Sequence, residues 1–179
     1  MGFMDMARDF VAGLPEGLQG LGVLLVAAIP MVEGEGAAVI GVLLKINPWI
    51  VVPAAVLGNV IAVALLIWAA DGTRQTVRRR RIAPASDASD VAATASVRGG
   101  ETEREARMRE RFDRWGVPSV SLLGPWLMVP GHVSGPAMVG FGAERGAVML
   151  WQAVSIVLYT ALGAAVAYGI GSGTGLLTA

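Results

Sequence analysis

The stretch PWIVVPAAVLGNVIAVALLIWAA, residues 48–70, runs for 23 residues without a charged side chain. Wound as an α-helix at about 1.5 Å per residue, it crosses the roughly 30 Å hydrocarbon core of a bilayer with some tilt to spare. Asn47 and Pro48 supply an N-cap and a first-turn residue, which fixes where the helix starts. A second uncharged run, Gly146–Leu177, contains another span, expected over 147–170 and ending before Gly171-Ser172-Gly173. The fold expected from these two runs is an all-α integral membrane protein.

The rest of the chain is partitioned around them. It is 54% hydrophobic, with 14 basic and 14 acidic side chains, and its mean hydropathy is +0.60. A soluble domain of 179 residues would have more apolar surface than one core hides. Of the 28 charges, 19 lie between Asp71 and Arg114. Because Arg78-Arg79-Arg80-Arg81 directly follows the first span, the positive-inside rule puts the loop 71–115 in the cytoplasm. Within it, 83–100 is rich in Ala, Ser, Asp and Gly and is expected to be disordered. Residues 101–114 carry Glu103/Arg107, Glu105/Arg109 and Glu110/Arg114 at i,i+4 and should form a charged, solvated helix. The four arginines are candidates to hold anionic lipid headgroups, with topology alone as the plainer explanation. They lack the stacking aromatics of a nucleic-acid surface, so no nucleic-acid partner is expected. The absence of cysteine excludes disulfides and thiolate metal sites. Residues 1–16 read as an N-terminal amphipathic segment, and Asp5, Arg8 and Asp9 there do not fit a signal peptide.

Each span is preceded by an apolar region broken at its middle. Residues 17–46 divide at Pro30-Met31-Val32-Glu33-Gly34-Glu35, and residues 117–145 divide at Pro130-Gly131-His132-Val133-Ser134-Gly135. The pieces on either side are about half a membrane long as helices, so Pro30, Gly34, Gly36, Pro130, Gly131 and Gly135 mark the breaks of two re-entrant hairpins. Such backbone is tolerated at membrane depth where it lines a cavity or is buried in protein. A shift of 99 positions sets Gly36-Ala37-Ala38-Val39-Ile40-Gly41 against Gly135-Pro136-Ala137-Met138-Val139-Gly140. One hairpin and one span therefore form a unit used twice, 17–70 and 116–170, with a tail at 171–179. With one span per unit the two copies are inverted, the organisation from which many transporters build a midplane site.

The residues with chemistry sit at the breaks. An ionised carboxylate at membrane depth is costly and persists where it works or is paired, which singles out Glu33 and Glu35, with a shallow hairpin whose carboxylates both face water as the plainer alternative. Two so close do not both ionise easily, which makes them candidates for a proton pathway. His132, the single histidine, occupies the matching break and is suited either to relay protons or to fill a packing role. Ser134 lies beside it. Asn59, in mid-span, should turn inward and hydrogen-bond across helices. Gln152, Ser155 and Tyr159 share one helical face and, with Thr160, form a polar stripe best explained as structural glue. Lys45, Glu144 and Arg145 fit interfacial anchoring. Glu33, Glu35 and His132 have metal-compatible donors but no recognised ligand spacing, so neither a metal nor another cofactor is expected.

At these residues the chain resembles the small multidrug export family, relatives of the DedA-type membrane proteins. The likeness runs through Pro30-Met31-Val32-Glu33, Gly36-Ala37, Gly41, Asn47-Pro48-Trp49 and Leu57-Gly58-Asn59. It resumes at Arg114-Trp115-Gly116, Pro130 and Ser134-Gly135. Glu33 falls where the family carries its glutamate, whereas Glu35 stands in place of a basic residue and Val39 in place of a proline. The resemblance implies a bacterial plasma-membrane transporter that exports small molecules or translocates a lipid-linked substrate, with proton coupling through Glu33. The alternative from another class is an accessory structural subunit of a larger membrane complex; a homo-oligomer is compatible with either. No Gly-rich phosphate loop with lysine is present, so the chain should not hydrolyse ATP itself. No nucleophile and base stand in an identifiable arrangement, so it is not read as an enzyme.

Overall fold

The computed structural model describes residues 2–82, 116–127, 129–174 and 177, and every regular element among them is a helix. Helix α1 spans Phe3–Ala12, α2 Glu16–Ala27, α3 Glu33–Leu43 and α4 Pro48–Ile82. A helical segment at 116–123, α5, is followed by a 3-10 turn at Pro125–Leu127, then by α6 (Gly131–Phe141) and α7 (Arg145–Gly173). The expected disorder at 83–100 and the charged helix at 101–114 lie outside the described residues.

Two helices, Pro48–Thr73 and Arg145–Gly173, are long and apolar enough to cross a membrane. The first begins as its sequence dictates: Asn47 Oδ1 accepts the Trp49 N–H at 2.9 Å, and Pro48 takes the turn position where no N–H is needed. It does not stop at Ala70. The helix continues to Ile82, so 71–82, expected as the start of the loop, is helical. No proline intervenes before Pro84, and the Gly72 cost of about 1 kcal/mol does not break a helix already propagating. The second span likewise runs through Gly171-Ser172-Gly173 to Gly173 rather than ending near Ile170. Beyond it Leu177 turns back, its N–H bonding the Gly171 carbonyl at 3.2 Å. A Cβ on Gly171 would stand 2.7 Å from the Leu177 side chain.

The hairpin breaks also fall earlier than expected. The first reversal occupies 28–32 and the second 124–130, so of the six break residues Pro30 and Pro130 are in the connections. Gly34 and Gly36 lie inside α3, and Gly131 and Gly135 inside α6. For Gly34 and Gly131 the reason is the open hydrogen bonding of a helix start, which tolerates glycine; Gly36 and Gly135 lie further in, where a glycine costs about 1 kcal/mol without stopping a helix already propagating. Pro130 starts α6 by accepting the N–H groups of Val133 and Ser134, both at 2.9 Å.

The two halves interlock. Helix α2 packs on α4, within its own half, whereas α3 packs most extensively on α7 and α6 on α4, each across to the other half's long helix. Burial along α4 follows one i,i+4 stripe: Val51, Ala55, Asn59, Val63 and Ile67. Val51 and Ala55 belong to an apolar core with α1, α2, α3 and the far end of α7. Val63 and Ile67 belong to a second core with α6 and the near end of α7. Asn59 lies between the two.

Outward, the long helices stay apolar. Only 33% of the most apolar window of α4 and 28% of that of α7 is buried, and Leu57, Ile61 and Leu65 on α4, like Leu158 and Leu162 on α7, are exposed. At the far end of α4, Arg145 Nη1 meets Asp71 Oδ2 at 3.1 Å, and its guanidinium lies 6.0 Å from the centre of the Trp68 ring. The anchoring role expected of Arg145 thus includes a tie between the two long helices.

Candidate functional site

Between the two apolar cores lies a layer of polar side chains drawn from five elements. The reversal after α2 passes into α3 through a left-handed residue, and it is Glu33, at φ = 53°, rather than the adjacent Gly34. For a side chain with a Cβ this costs roughly 1–2 kcal/mol. Such strain persists where the surroundings hold it. Here Gly34 brings α3 so close to the long helices that a Cβ would run into Thr160 Oγ1 of α7 and stand 3.3 Å from Asn59 Nδ2 of α4. Gly163 allows the same approach from α7, where a Cβ would lie 3.2 Å from the Glu35 carbonyl.

Glu33 Oε1 sits 3.0 Å from His132 Nδ1, with the two side chains 13% and 2% exposed. These residues are 99 apart, the same interval that superimposes the halves of the sequence, so equivalent positions of the two hairpins meet. We assign Nδ1 as the protonated nitrogen, donating to the carboxylate. Nε2 is then a bare acceptor, and it has no partner among the described residues.

The stripe on α7 faces this pair. Gln152 Nε2 donates to Ser134 Oγ at 2.9 Å, Ser155 Oγ to the Ser121 carbonyl at 2.8 Å, and Tyr159 Oη to the Leu122 carbonyl at 2.7 Å. The last two bonds tie α5 to its own long helix, a structural use of the stripe. Gln152 does more, because a Cβ on Gly131 would come within 3.0 Å of its Oε1 and 3.8 Å of Glu33 Oε1.

Glu33, Glu35, Asn59, Ser121, Ser134 and Gln152 line one cleft, closed further by Pro125, Val129 and Tyr159. Its free space is about 10 Å³, the scale of a single water molecule. Asn59 is 4% exposed and points inward as expected. Its Oδ1 finds no donor among the described residues, so the cross-helix hydrogen bond expected of it is not made through that atom. Ser121 Oγ and Thr160 Oγ1 are buried without partners in the same layer. Each such atom costs about 1–3 kcal/mol when left dry.

The structure therefore brings together all five residues expected on a substrate or proton pathway: Glu33, Glu35, Ser134 and Asn59 on the cleft, His132 behind Glu33. Arg78–Arg81 continue α4, and their side chains lie outside the described residues. Ser121 was not anticipated, because one serine in an apolar half-helix carries no signal until its facing element is known. Among the described residues no three His, Asp or Glu side chains converge on a metal-sized site. Compared with protein-family profiles, with curated proteins and with solved structures, the chain matches none.

Proposed function

We propose that this chain is an integral membrane protein of the bacterial plasma membrane that works as a small secondary transporter, with Glu33 as its coupling carboxylate. The observation that carries this reading is the inversion of polarity. The molecule buries His132, Asn59, Ser134 and Gln152 and half-buries Glu33 while exposing leucine, isoleucine and valine along α4 and α7. That arrangement is unstable in water and stable in lipid, where polar groups are expensive outside and useful inside. Asn59 stands midway between Pro48 and Ala70, so the polar layer lies near the middle of a bilayer spanned by α4. The interlocked halves and the Glu33–His132 pair support two inverted units whose re-entrant hairpins meet at that depth. Relationship to the small multidrug export and DedA-type proteins is part of the same proposal. The substrate is a small molecule for efflux or a lipid-linked compound, moved with a counterflow of protons.

The decisive experiment is transport by purified protein in liposomes, with and without a pH gradient. Gradient-driven flux supports the reading, and its absence removes it. The narrow cleft favours one second reading, an accessory subunit whose polar layer holds helices together. Purification separates the two: a stable free-standing protein supports transport, and obligate co-purification with other membrane proteins supports the subunit.

The topology is testable by itself. With the loop 71–115 in the cytoplasm and each hairpin returning to its own side, both termini are outside. In intact cells, a membrane-impermeant thiol reagent is expected to label Thr178→Cys and to spare Ser89→Cys. Labelling of Ser89→Cys from outside would reverse the orientation of the whole scheme.

A further inference from the structure

We infer that the cleft beside Glu33 is a binding site for one dehydrated alkali-metal cation, held by the Glu33 and Glu35 carboxylates, Asn59 Oδ1 and Ser121 Oγ. The inference rests on the transport reading for its purpose and on the cleft alone for its chemistry. Three features converge. First, three of the four buried side-chain atoms that lack partners among the described residues are oxygens in this layer, Asn59 Oδ1, Ser121 Oγ and, beside Gly34, Thr160 Oγ1; the fourth, His132 Nε2, lies behind Glu33. Asn59 Oδ1 is an obligate acceptor, so only a donor or a cation satisfies it.

Second, the charge balance asks for one positive unit. Two carboxylates this close share a proton readily; when both ionise around a bound ion they bring at most two negative charges, and the N-termini of α3 and α6, which carry Glu33 and His132, return about half a charge each. At most about one negative charge then remains, which one monovalent cation in the place of the shared proton neutralises. Third, the free space of about 10 Å³ admits a water-sized body and nothing larger. An alkali cation fits that room when the oxygens replace its water. An organic cation does not, and the oxygen donors do not suit a transition metal; a divalent ion stripped of its water fits the room equally but brings one charge more than the balance asks for.

A proton and such a cation would compete for the same carboxylates, so the site offers an exchange between two ions of equal charge. The test uses purified protein in detergent at a constant ionic strength of about 0.15 M, where exposed charges are screened beyond about 8 Å. Choline chloride, whose cation is too large for the cleft, is replaced stepwise by NaCl or KCl. Melting is followed by tryptophan fluorescence, and radiolabelled Na+ retained by the protein is counted. We expect saturable Na+ retention with a rise in melting temperature in NaCl or KCl that choline does not give. Ser121→Ala, the mildest removal of a ligand, should weaken retention about tenfold or more. Asn59→Leu should abolish it, whatever it does to melting.

Equal melting in all three salts with no retained Na+ would mean that the cleft holds water only and would overturn the inference. Calcium stabilising the protein more than either alkali cation would overturn its monovalent character. Failure here is separable from failure of the transport reading. Flux driven by a pH gradient without Na+ retention leaves transport standing and removes the cation site. Na+ retention without flux of any substrate leaves the site standing and removes transport.

Discussion

Glu33→Gln is expected to reduce gradient-driven transport to background while the protein remains folded. Glutamine keeps the length of the side chain and its carbonyl oxygen, so it still accepts the hydrogen bond that His132 Nδ1 makes at 3.0 Å. What it loses is the negative charge and the ability to titrate, the two properties a coupling group uses. The backbone at φ = 53° imposes the same strain on either residue, so stability should change little. Glu35→Gln is expected to do less. Glu35 lines the cleft but makes no hydrogen bond to the other hairpin among the described residues, so its replacement should weaken ion affinity and leave flux at saturating salt. The measurement is flux across a pH series for wild type and both variants, normalised to folded protein. Wild-type profiles for both would falsify the coupling role and put the subunit reading first.

Gly58→Ala should produce the largest structural effect of any single methyl group in the molecule. At this position α2 crosses α4 so closely that an added Cβ would run into the Leu24 carbonyl oxygen, with the Leu24 carbonyl carbon next at 2.8 Å. The obstacle is backbone, so no rotamer change relieves it and the two helices have to part. Overpacking of this kind costs about 1–3 kcal/mol and sometimes more, and the upper end is expected here. Close approach at small residues is also how helices associate in lipid. Gly169→Ala is the control, because a Cβ there meets nothing within 4 Å. It should be neutral or stabilise α7 by up to about 1 kcal/mol through helix propensity. Thermal unfolding and gel filtration of both variants in the same detergent would measure the difference. Equal stability of the two would show that α2 and α4 do not cross at Gly58.

Both predictions depend on contacts between elements, and the sequence was informative about elements far more than about contacts. The two long helices were legible because length and absence of charge are local properties of 48–70 and 147–170. Their ends were less so. Thr73, Gln75 and the arginines after Ala70 look like loop by polarity, yet nothing in them stops a helix that has already formed. Gly34, Gly36, Gly131 and Gly135 look like breaks by composition, yet the first turn of a helix accommodates Gly34 and Gly131, single glycines further in do not stop a helix already formed, and the reversals were set by Pro30 and Pro130.

The same division holds for the site. Glu33, Glu35, His132, Asn59 and Ser134 were legible as unusual residues because a charged or polar group in an apolar stretch carries a cost visible without coordinates. Their partners were not. Nothing local says that Asn59 Oδ1 stays unpaired, that Ser121 joins the cleft, or that Gln152 bonds Ser134 rather than a neighbour on its own helix. By itself the sequence determined two membrane-length helices, an internal interval of 99 residues, and the polar residues placed at its matching breaks. Only the tertiary structure decided that Glu33 meets His132 across that interval. Periodicity fixes which face of a helix is polar, but which helices lie together follows from close approaches at Gly34, Gly58 and Gly163 that exist only once the chain is packed.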